Sequence, residues 1–504
     1  MQKKSVIIIG AGIAGLSAGI YAQMNGYQSR IYEMHDLPGG LMTAWKRKGY
    51  VIDGCIHWLT GSSKDYQPFY QMWEDIGLIQ GRTIFDPEVF MRWESKDGKV
   101  LCLYTDVNRL EAHLLELAPE DRKVIRAFCA AVRAFSGNMS STPEGLLGRL
   151  IGMVKMVPQM PHMMRWGRLT MKELGEKFTN PFLRSAFSEM WFPEMSAMGL
   201  VFTLAILNNH GAGYPIGGSL PMALAVEKRY CALGGEIFYD ARVSKILTEA
   251  LPGGQGSRVV GIRLDDGREE RADIVISAAD AHATLYQMLD DRFTTDQFRG
   301  MFQSAKIFPP ILYIGLGVDR AFPDLPACTG GLELELDEPV MAAGLPIHRL
   351  STMVYNFDPS LAPQGKTALT VMAPTSYQYW KDLYGEGGDH ERYEAEKQRV
   401  ALQVIDRLDK RFPGLSAQVE MADVATPVTF ERFTGNWQGS FEGWIPTPQN
   451  VMKPIPKTLP GLENFYMVGQ WVQPGGGLPS GVMTGREVLQ KICKKDGIKF
   501  STAQ

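Results

Sequence analysis

The chain has 504 residues, 52 of them basic and 55 acidic, for a net charge of −3, and 45% of the residues are hydrophobic against 21% charged. That balance excludes a disordered chain and a strongly basic nucleic-acid-binding face, and the length calls for two domains. Six scattered cysteines without a C-x-x-C pair, and eight dispersed histidines, exclude a disulfide framework and a recognisable metal centre, and point to a reducing, cytoplasmic compartment.

After MQKK, the residues from Ser5 to Ala22 carry no charge. A basic start before an apolar run is the outline of a signal peptide, and the run approaches the length of a spanning helix. Its three glycines, Gly10, Gly12 and Gly15, argue against both, because each weakens a helix by about 1 kcal/mol against alanine. Ser5 to Ile9 instead reads as a strand buried on both faces, Leu16 to Asn25 as a helix closed by Gly26, and Gln28 to Tyr32 as a second strand. Between the first strand and the helix the spacing is G-x-G-x-x-G. Gly10 permits the tight turn, Gly12 lets the backbone approach a pyrophosphate, and Gly15 lets the helix pack on the strand. Glu33 ends the second strand, at the distance where a carboxylate accepts hydrogen bonds from a ribose hydroxyl. No cleaved signal is expected.

Gly39-Gly40 supply a second place where backbone can approach a ligand, and Tyr50 to Asp53 reads as a strand followed by an aromatic-bearing turn. Residues 107 to 210 read mostly as helices. Methionine is abundant, at 26 residues, and concentrates here: Met153, Met156, Met160, Met163, Met164 and Met171 lie among Arg149, Lys155, Arg165, Arg168, Lys172 and Lys177, with Trp166 between the cations. Such a stretch is expected to touch a membrane interface as the mouth of a substrate tunnel; the alternative is a helical cap whose methionines face the core. From Tyr214 the pattern returns to α/β: a helix over Leu220–Leu233, strands Glu236–Tyr239 and Ala241–Leu247, and two further strands about an Asp-Gly turn. Strands Ile311–Val318 and Ala368–Ala373, a helix over Tyr393–Arg411, strand Phe465–Val468 and a helix over Ser480–Ile492 follow.

The N-terminal glycine motif with Glu33 and Gly39-Gly40, the middle "YPIGGSLPMALA", and the C-terminal "YMVGQWVQPGGGLPSGVMTGR" occur in the order that resembles the phytoene desaturase family of FAD-dependent oxidoreductases, within the amine oxidase superfamily. "FDPSLAPQGKTALTV" and "TPVTFERFTGNWQGSFEGW" are similar to the carotenoid isomerase and retinol saturase branch, as is "DGCIHWLTG", where Cys55 replaces the usual glycine. The resemblance implies a doubly wound, Rossmann-like α/β flavin domain of the glutathione-reductase type, assembled from residues 1–106, 211–300 and 455–504. Residues 107–210 and 301–454 would form a mixed sheet-and-helix substrate domain. It implies FAD contacts at Gly10, Gly12, Ile13, Ala14 and Gly15, at Glu33 and Met34, and at Gly39, Gly40, Leu41 and Met42. Further contacts are implied at Ile56, His57, Val243, Ala278, Gly469, Gln470, Gly477, Leu478, Pro479 and Val482. Many relatives carry arginine where Leu41 stands, so anion neutralisation is expected from backbone amides or from Lys46 or Arg47.

The implied reaction is desaturation, saturation or isomerisation of carbon–carbon bonds at flavin N5 in a long apolar carotenoid-, isoprenoid- or retinoid-like substrate. Two other readings stand beside it: a flavin amine oxidase, and a non-enzymatic prenyl- or lipid-binding protein of the same fold. Cys55, Trp58, His210 and Tyr214 are the candidate substrate residues. His57 is read either as a proton donor near the flavin or as a structural histidine beside Trp58, and Cys55 as an apolar filler. Ile314-Gly315-Leu316-Gly317 lies in a strand without a following helix or a third glycine, so no second nucleotide domain is expected, and the electron partner is left open among oxygen, a quinone, a protein carrier and a visiting pyridine nucleotide. The expected location is the cytoplasm, with peripheral membrane contact.

Overall fold

The computed structural model describes residues 3–137 and 157–502. Its centre is a five-stranded parallel sheet in the order Phe465–Met467, Ile274–Ser277, Ser5–Ile9, Gln28–Tyr32, Glu236–Phe238. Three stretches far apart in sequence therefore meet in one sheet, as the doubly wound reading requires. Val6, Ile7 and Ile8 are wholly buried, which explains the uncharged start of the chain. Helix Ile13–Met24 is buried all round from Ala14 to Ala22, with helices Ser219–Ala232 and Gly477–Lys495 packed against it. Small residues permit these approaches: a Cβ on Gly485 would stand 2.9 Å from the Ala18 nitrogen, and one on Gly19 would stand 2.6 Å from the Tyr230 ring. Strands Val243–Ala250, Ser257–Leu264, Glu269–Arg271 and Leu462–Glu463 form a second, smaller sheet.

The third layer is a seven-stranded sheet in the order Val419–Ala425, Ile311–Val318, Thr367–Pro374, Leu345–Val354, Cys328–Ala342, Val89–Glu94, Val100–Tyr104, with helix His390–Arg411 packed on it. Val89–Glu94 and Val100–Tyr104 thus pair away from the parallel sheet. The domain boundary expected at residue 106 falls before Val89, because these strands find their backbone partners beside Cys328–Ala342. Strand Ile311–Val318 is buried along its whole length. Its Gly315 and Gly317 face the strand Tyr50–Asp53: Cβ atoms there would stand 2.6 Å from Ile52 Cδ1 and 2.4 Å from Tyr50 Cδ2. This glycine pair serves close packing of strand Tyr50–Asp53 on the large sheet.

Helices Val107–Leu117, Arg122–Phe135, Met160–Trp166, Met171–Gly175, Pro181–Glu189 and Ala197–Leu207 form a cap with its own apolar core. The Met-rich stretch lies partly outside the described residues, which exclude Arg149, Met153, Lys155 and Met156. In the described part, Trp166 is fully buried and packs edge-on against Phe128, with ring centroids 5.8 Å apart, and Met171 is buried too. Trp166 is therefore a core residue of the cap, drawn inward by an aromatic pocket. Val157, Met160 and Met164 are exposed. No helix among the described residues is long and apolar enough to cross a membrane.

Gly315→Val places branched carbons where Ile52 already stands, an overpacking cost of about 1–3 kcal/mol. The expected outcome is a clear fall in the chemical-denaturation midpoint; an unchanged midpoint would mean that strand Tyr50–Asp53 moves aside freely.

Candidate cofactor and active site

Loops at the carboxyl ends of the parallel strands enclose a cavity of about 1080 Å³, the position where doubly wound sheets bind ligands. Its floor is backbone. Gly10 has φ +98°, and a Cβ on Gly15 would stand 2.0 Å from the Gly10 carbonyl oxygen, so the helix can start only where glycine stands. The Gly39 N–H donates to the Ala11 carbonyl at 2.9 Å, Gly12 and Gly39 form a parallel bridge, and Gly39 and Gly40 both have positive φ. A Cβ on Gly12 would meet nothing nearer than 4.0 Å, leaving open room above the cradle. Gly12 caps helix Ile13–Met24 with no side chain, so its first N–H groups are open to an anion.

Glu33 is buried beside this cradle. Its carboxylate accepts the N–H of Ala11 at 2.6 Å and that of His35 at 2.9 Å. Burial pushes its pKa above the ordinary value, while these two donors pull it down. A carboxylate has about four acceptor sites, so positions are left for ribose hydroxyls. Val243, Ala278 and Ala279 line the cavity beyond Glu33. At the other end Gly475, Gly476 and Gly477 have positive φ in succession and open helix Gly477–Lys495, again without a side-chain cap. Gln470, Leu478, Phe441, Glu442 and Cys55 complete this end.

The turn that carries Cys55 is held by Asp53, which the sequence reading did not single out. One Asp53 oxygen accepts the N–H groups of Cys55 and Ile56, both at 3.0 Å, and the Ser219 hydroxyl at 2.7 Å; the other accepts the Ser219 N–H at the start of helix Ser219–Ala232. Complete burial raises its pKa, and these donors oppose the rise. The only sequence signal was an acid in "IDGC" opposite the "GGS" of a helix start.

The cavity brings together most of the expected cofactor residues: Gly10, Gly12, Ile13, Ala14, Glu33, Met34, Gly39, Gly40, Leu41, Met42, Val243, Ala278, Gly469, Gln470, Gly477 and Leu478. Gly15, Ile56, His57, Pro479 and Val482 are not in its lining. Gly15 is pressed on Gly10, and Ile56 and Val482 are buried in the core. His57 packs beside Trp58 with ring centroids 6.2 Å apart, in a cluster with Phe90 and Trp191. Burial lowers its pKa to about 4, so the imidazole is neutral at pH 7. In this structure the ring lies beside Trp58 and does not line the cavity.

Of the four candidate substrate residues only Cys55 lines the cavity; burial raises its pKa, so it stays a thiol. Tyr214 is fully buried against Phe357, and His210 is exposed with φ +52° after helix Ala197–Leu207. Lys46 is exposed and Arg47 pairs with Asp423 at 3.0 Å, and neither lines the cavity. The cations that do are Arg242, Lys245, Lys381 and Arg432, brought in by segments whose approach no spacing rule foretells.

The donor set fits a dinucleotide: side-chain-free backbone, two uncapped helix starts facing one cavity, and a buried carboxylate beside the first of them. The family model for flavin containing amine oxidoreductase matches residues 13–493. Prolycopene isomerase 1, chloroplastic, of an Oncidium hybrid cultivar is 25% identical over an alignment covering 99% of this chain and 85% of that protein. The phytoene desaturase (lycopene-forming) of Pseudescherichia vulneris is 25% identical, covering 98% and 99%. Among solved structures, cyclohexylamine oxidase from Brevibacterium oxydans superposes with a TM-score of 0.59 at 15% identity, covering 98% of this chain and 100% of that one, a likeness of fold.

Gly12→Val would fill the room above the cradle, and the variant is expected to purify without FAD while its core still folds; a full complement of FAD would refute the cradle. Glu33→Ala should weaken FAD by roughly 1.5–3 kcal/mol, about tenfold to a hundredfold in Kd, with the reaction unchanged. An unchanged Kd would mean that the carboxylate serves only the Ala11 and His35 amides.

Proposed function

The chain belongs to the flavin-containing amine oxidoreductases and is an FAD-dependent oxidoreductase, and from that premise we propose that it acts on carbon–carbon bonds of a long apolar polyene or isoprenoid. The observation that carries the reading is that relatives named as prolycopene isomerase and phytoene desaturase align over nearly the entire chain. The ring end of the cavity is consistent with it, being walled by Ile13, Cys55, Phe441 and Leu478. When bound, FAD supplies a two-electron carrier for hydride. The chain does the rest. The glycine loops and helix starts fix the pyrophosphate, the Asp53-held turn sets the Cys55 wall, and apolar side chains exclude water. A long apolar chain gains about 0.8 kcal/mol for each methylene taken from water, so affinity should rise with substrate length.

An amine substrate is the second reading, and one observation favours it: the Glu442 carboxyl lines the cavity with no hydrogen-bond donor among the described residues, as a counter-charge for an ammonium would. Anaerobic mixing of the holoenzyme with polyenes and with amines separates the two. Bleaching of the flavin, or isomerised or saturated product from reduced enzyme, is expected with polyenes. Bleaching by amines alone would replace this reading with the second.

We further propose that exposed Val157, Met160 and Met164, beside Arg165, Arg168 and Lys172, touch the membrane that holds such a substrate. Each cation near an anionic surface contributes about 1 kcal/mol. Replacing Arg165, Arg168 and Lys172 together with glutamate should reduce flotation with anionic liposomes and leave the flavin spectrum unchanged. Equal flotation would make this stretch an ordinary solvated surface.

A further inference from the structure

In or beside the cavity three buried carboxyls are tied to backbone N–H groups, and a half-buried one is not. Glu33 accepts two backbone N–H groups. Asp53 accepts three, with the Ser219 hydroxyl in addition. Asp280 accepts the N–H of Ala283 at 2.7 Å on one oxygen and that of Trp437 at 2.9 Å on the other. Glu442 is the exception. Its side chain has no hydrogen-bond partner among the described residues, yet it lines the cavity.

Its place is fixed from both sides. The Gly443 carbonyl accepts the N–H of Phe308 at 2.8 Å, and Trp444 bridges to Ile307. The Trp444 indole N–H donates to the Trp471 carbonyl at 3.1 Å, and both rings are buried. Gly443 has φ +71°, and a Cβ there would stand 3.1 Å from the Gln470 carbonyl, so the turn lies tight against the C-terminal glycine loop. A Cβ built on Gly477 would stand 3.6 Å from Glu442 Oε1, which puts the carboxyl at the start of helix Gly477–Lys495. Phe441 packs in a tilted arrangement against Phe192 and Phe308, with centroids 6.4 and 5.3 Å away. The carboxyl is thus half-buried at the cavity wall, held in place by its turn but not tied to a donor among the described residues.

We propose that Glu442 is the catalytic proton-exchanging group of the site: its carboxyl gives or takes the proton on the substrate carbon adjacent to the one that exchanges hydride. This rests on the carbon–carbon reading above. In the oxidative direction the C–H bond next to the carbon that yields hydride would break with its proton passing to the Glu442 carboxylate and its electron pair becoming the new C=C, while bound FAD would supply the two-electron acceptor for the hydride. The reverse would begin with protonated Glu442, with reduced FAD supplying the hydride. Burial alone raises the Glu442 pKa to about 7, where both forms are populated at neutral pH. The titratable group facing it is the Cys55 thiol, with Asp53 behind the same turn. From the segment that bridges to Trp444, Lys306 is paired with Glu194.

The sign of the pH dependence follows. Oxidation needs the carboxylate and should rise as pH increases through about 7, whereas reduction needs the acid and should fall over the same window. The test uses the FAD-loaded protein and Glu442→Gln. Without substrate, wild type should show a change in the visible flavin absorbance titrating near pH 7, absent from the variant. With a polyene substrate, kcat should fall on the order of 10²–10⁴-fold in the variant at nearly constant KM, with a flat pH profile. Equal kcat and pH profile in both proteins would overturn the proposal. Loss of bound FAD from the variant would overturn it in favour of a structural role, and a raised KM for an amine with kcat intact would overturn it in favour of a counter-charge. A titration present in wild type and absent from the variant, with no polyene turned over by either, would refute the carbon–carbon reading and leave the proton-holding assignment standing.

Discussion

Backbone must meet backbone at the cradle with no Cβ between, and much of the structure follows from that constraint. Gly10 and Gly15 are in contact, Gly12 bridges to Gly39, and Gly469 lies against Ala14. These segments come from the first βα unit, the following loop and the C-terminal strand, so the parallel sheet must close before the cradle exists. The same demand for close approach recurs where helix Gly477–Lys495 meets helix Ile13–Met24 through Gly481 and Gly485. Helix and sheet packing therefore set the distance between the two uncapped helix starts, and that distance defines what the cavity can hold.

A second organising principle is the treatment of buried charge. A carboxylate removed from water is tolerated when N–H groups replace its hydration, and Glu33, Asp53 and Asp280 are all treated so. Asp53 spans the turn after strand Tyr50–Asp53 and the start of helix Ser219–Ala232, joining an outer wall of the cavity to the flavin-type domain. Glu442 receives no such compensation. Half-buried at the cavity wall and untied among the described residues, its carboxyl is left available to exchange a proton.

The dinucleotide cradle was legible because its chemistry is local. Glycine spacing, the strand before it and the carboxylate after it sit within one supersecondary unit, and they reappear as Ser5–Ile9, Ile13–Met24 and Gln28–Tyr32. Long-range placement was not legible. Gly315 and Gly317 read as an incomplete nucleotide motif, and only contact with Tyr50 and Ile52 accounts for them. Trp166 sits among cations in sequence, but its ring is buried in the cap against Phe128 while Arg165 covers it at 4.8 Å. His57 follows a residue that lines the cavity, yet two positions along this turn the side chain packs with Trp58. Glu442 lay in a stretch, "GSFEGW", recognised for its resemblance and not for its acid, because nothing in the sequence indicates that residues 440–444 fold back on Gln470.

The central claim is that one cavity at the carboxyl ends of the parallel strands holds FAD with its ring at the end where Cys55, Glu442 and Gly477 meet. A crystal structure of the FAD-loaded protein tests it most directly. The account predicts the pyrophosphate over Gly12 and Gly40, ribose hydroxyls on Glu33, and the isoalloxazine at the Cys55–Glu442 end. A ring bound at the Val243 end, or FAD seated outside this cavity, would contradict it.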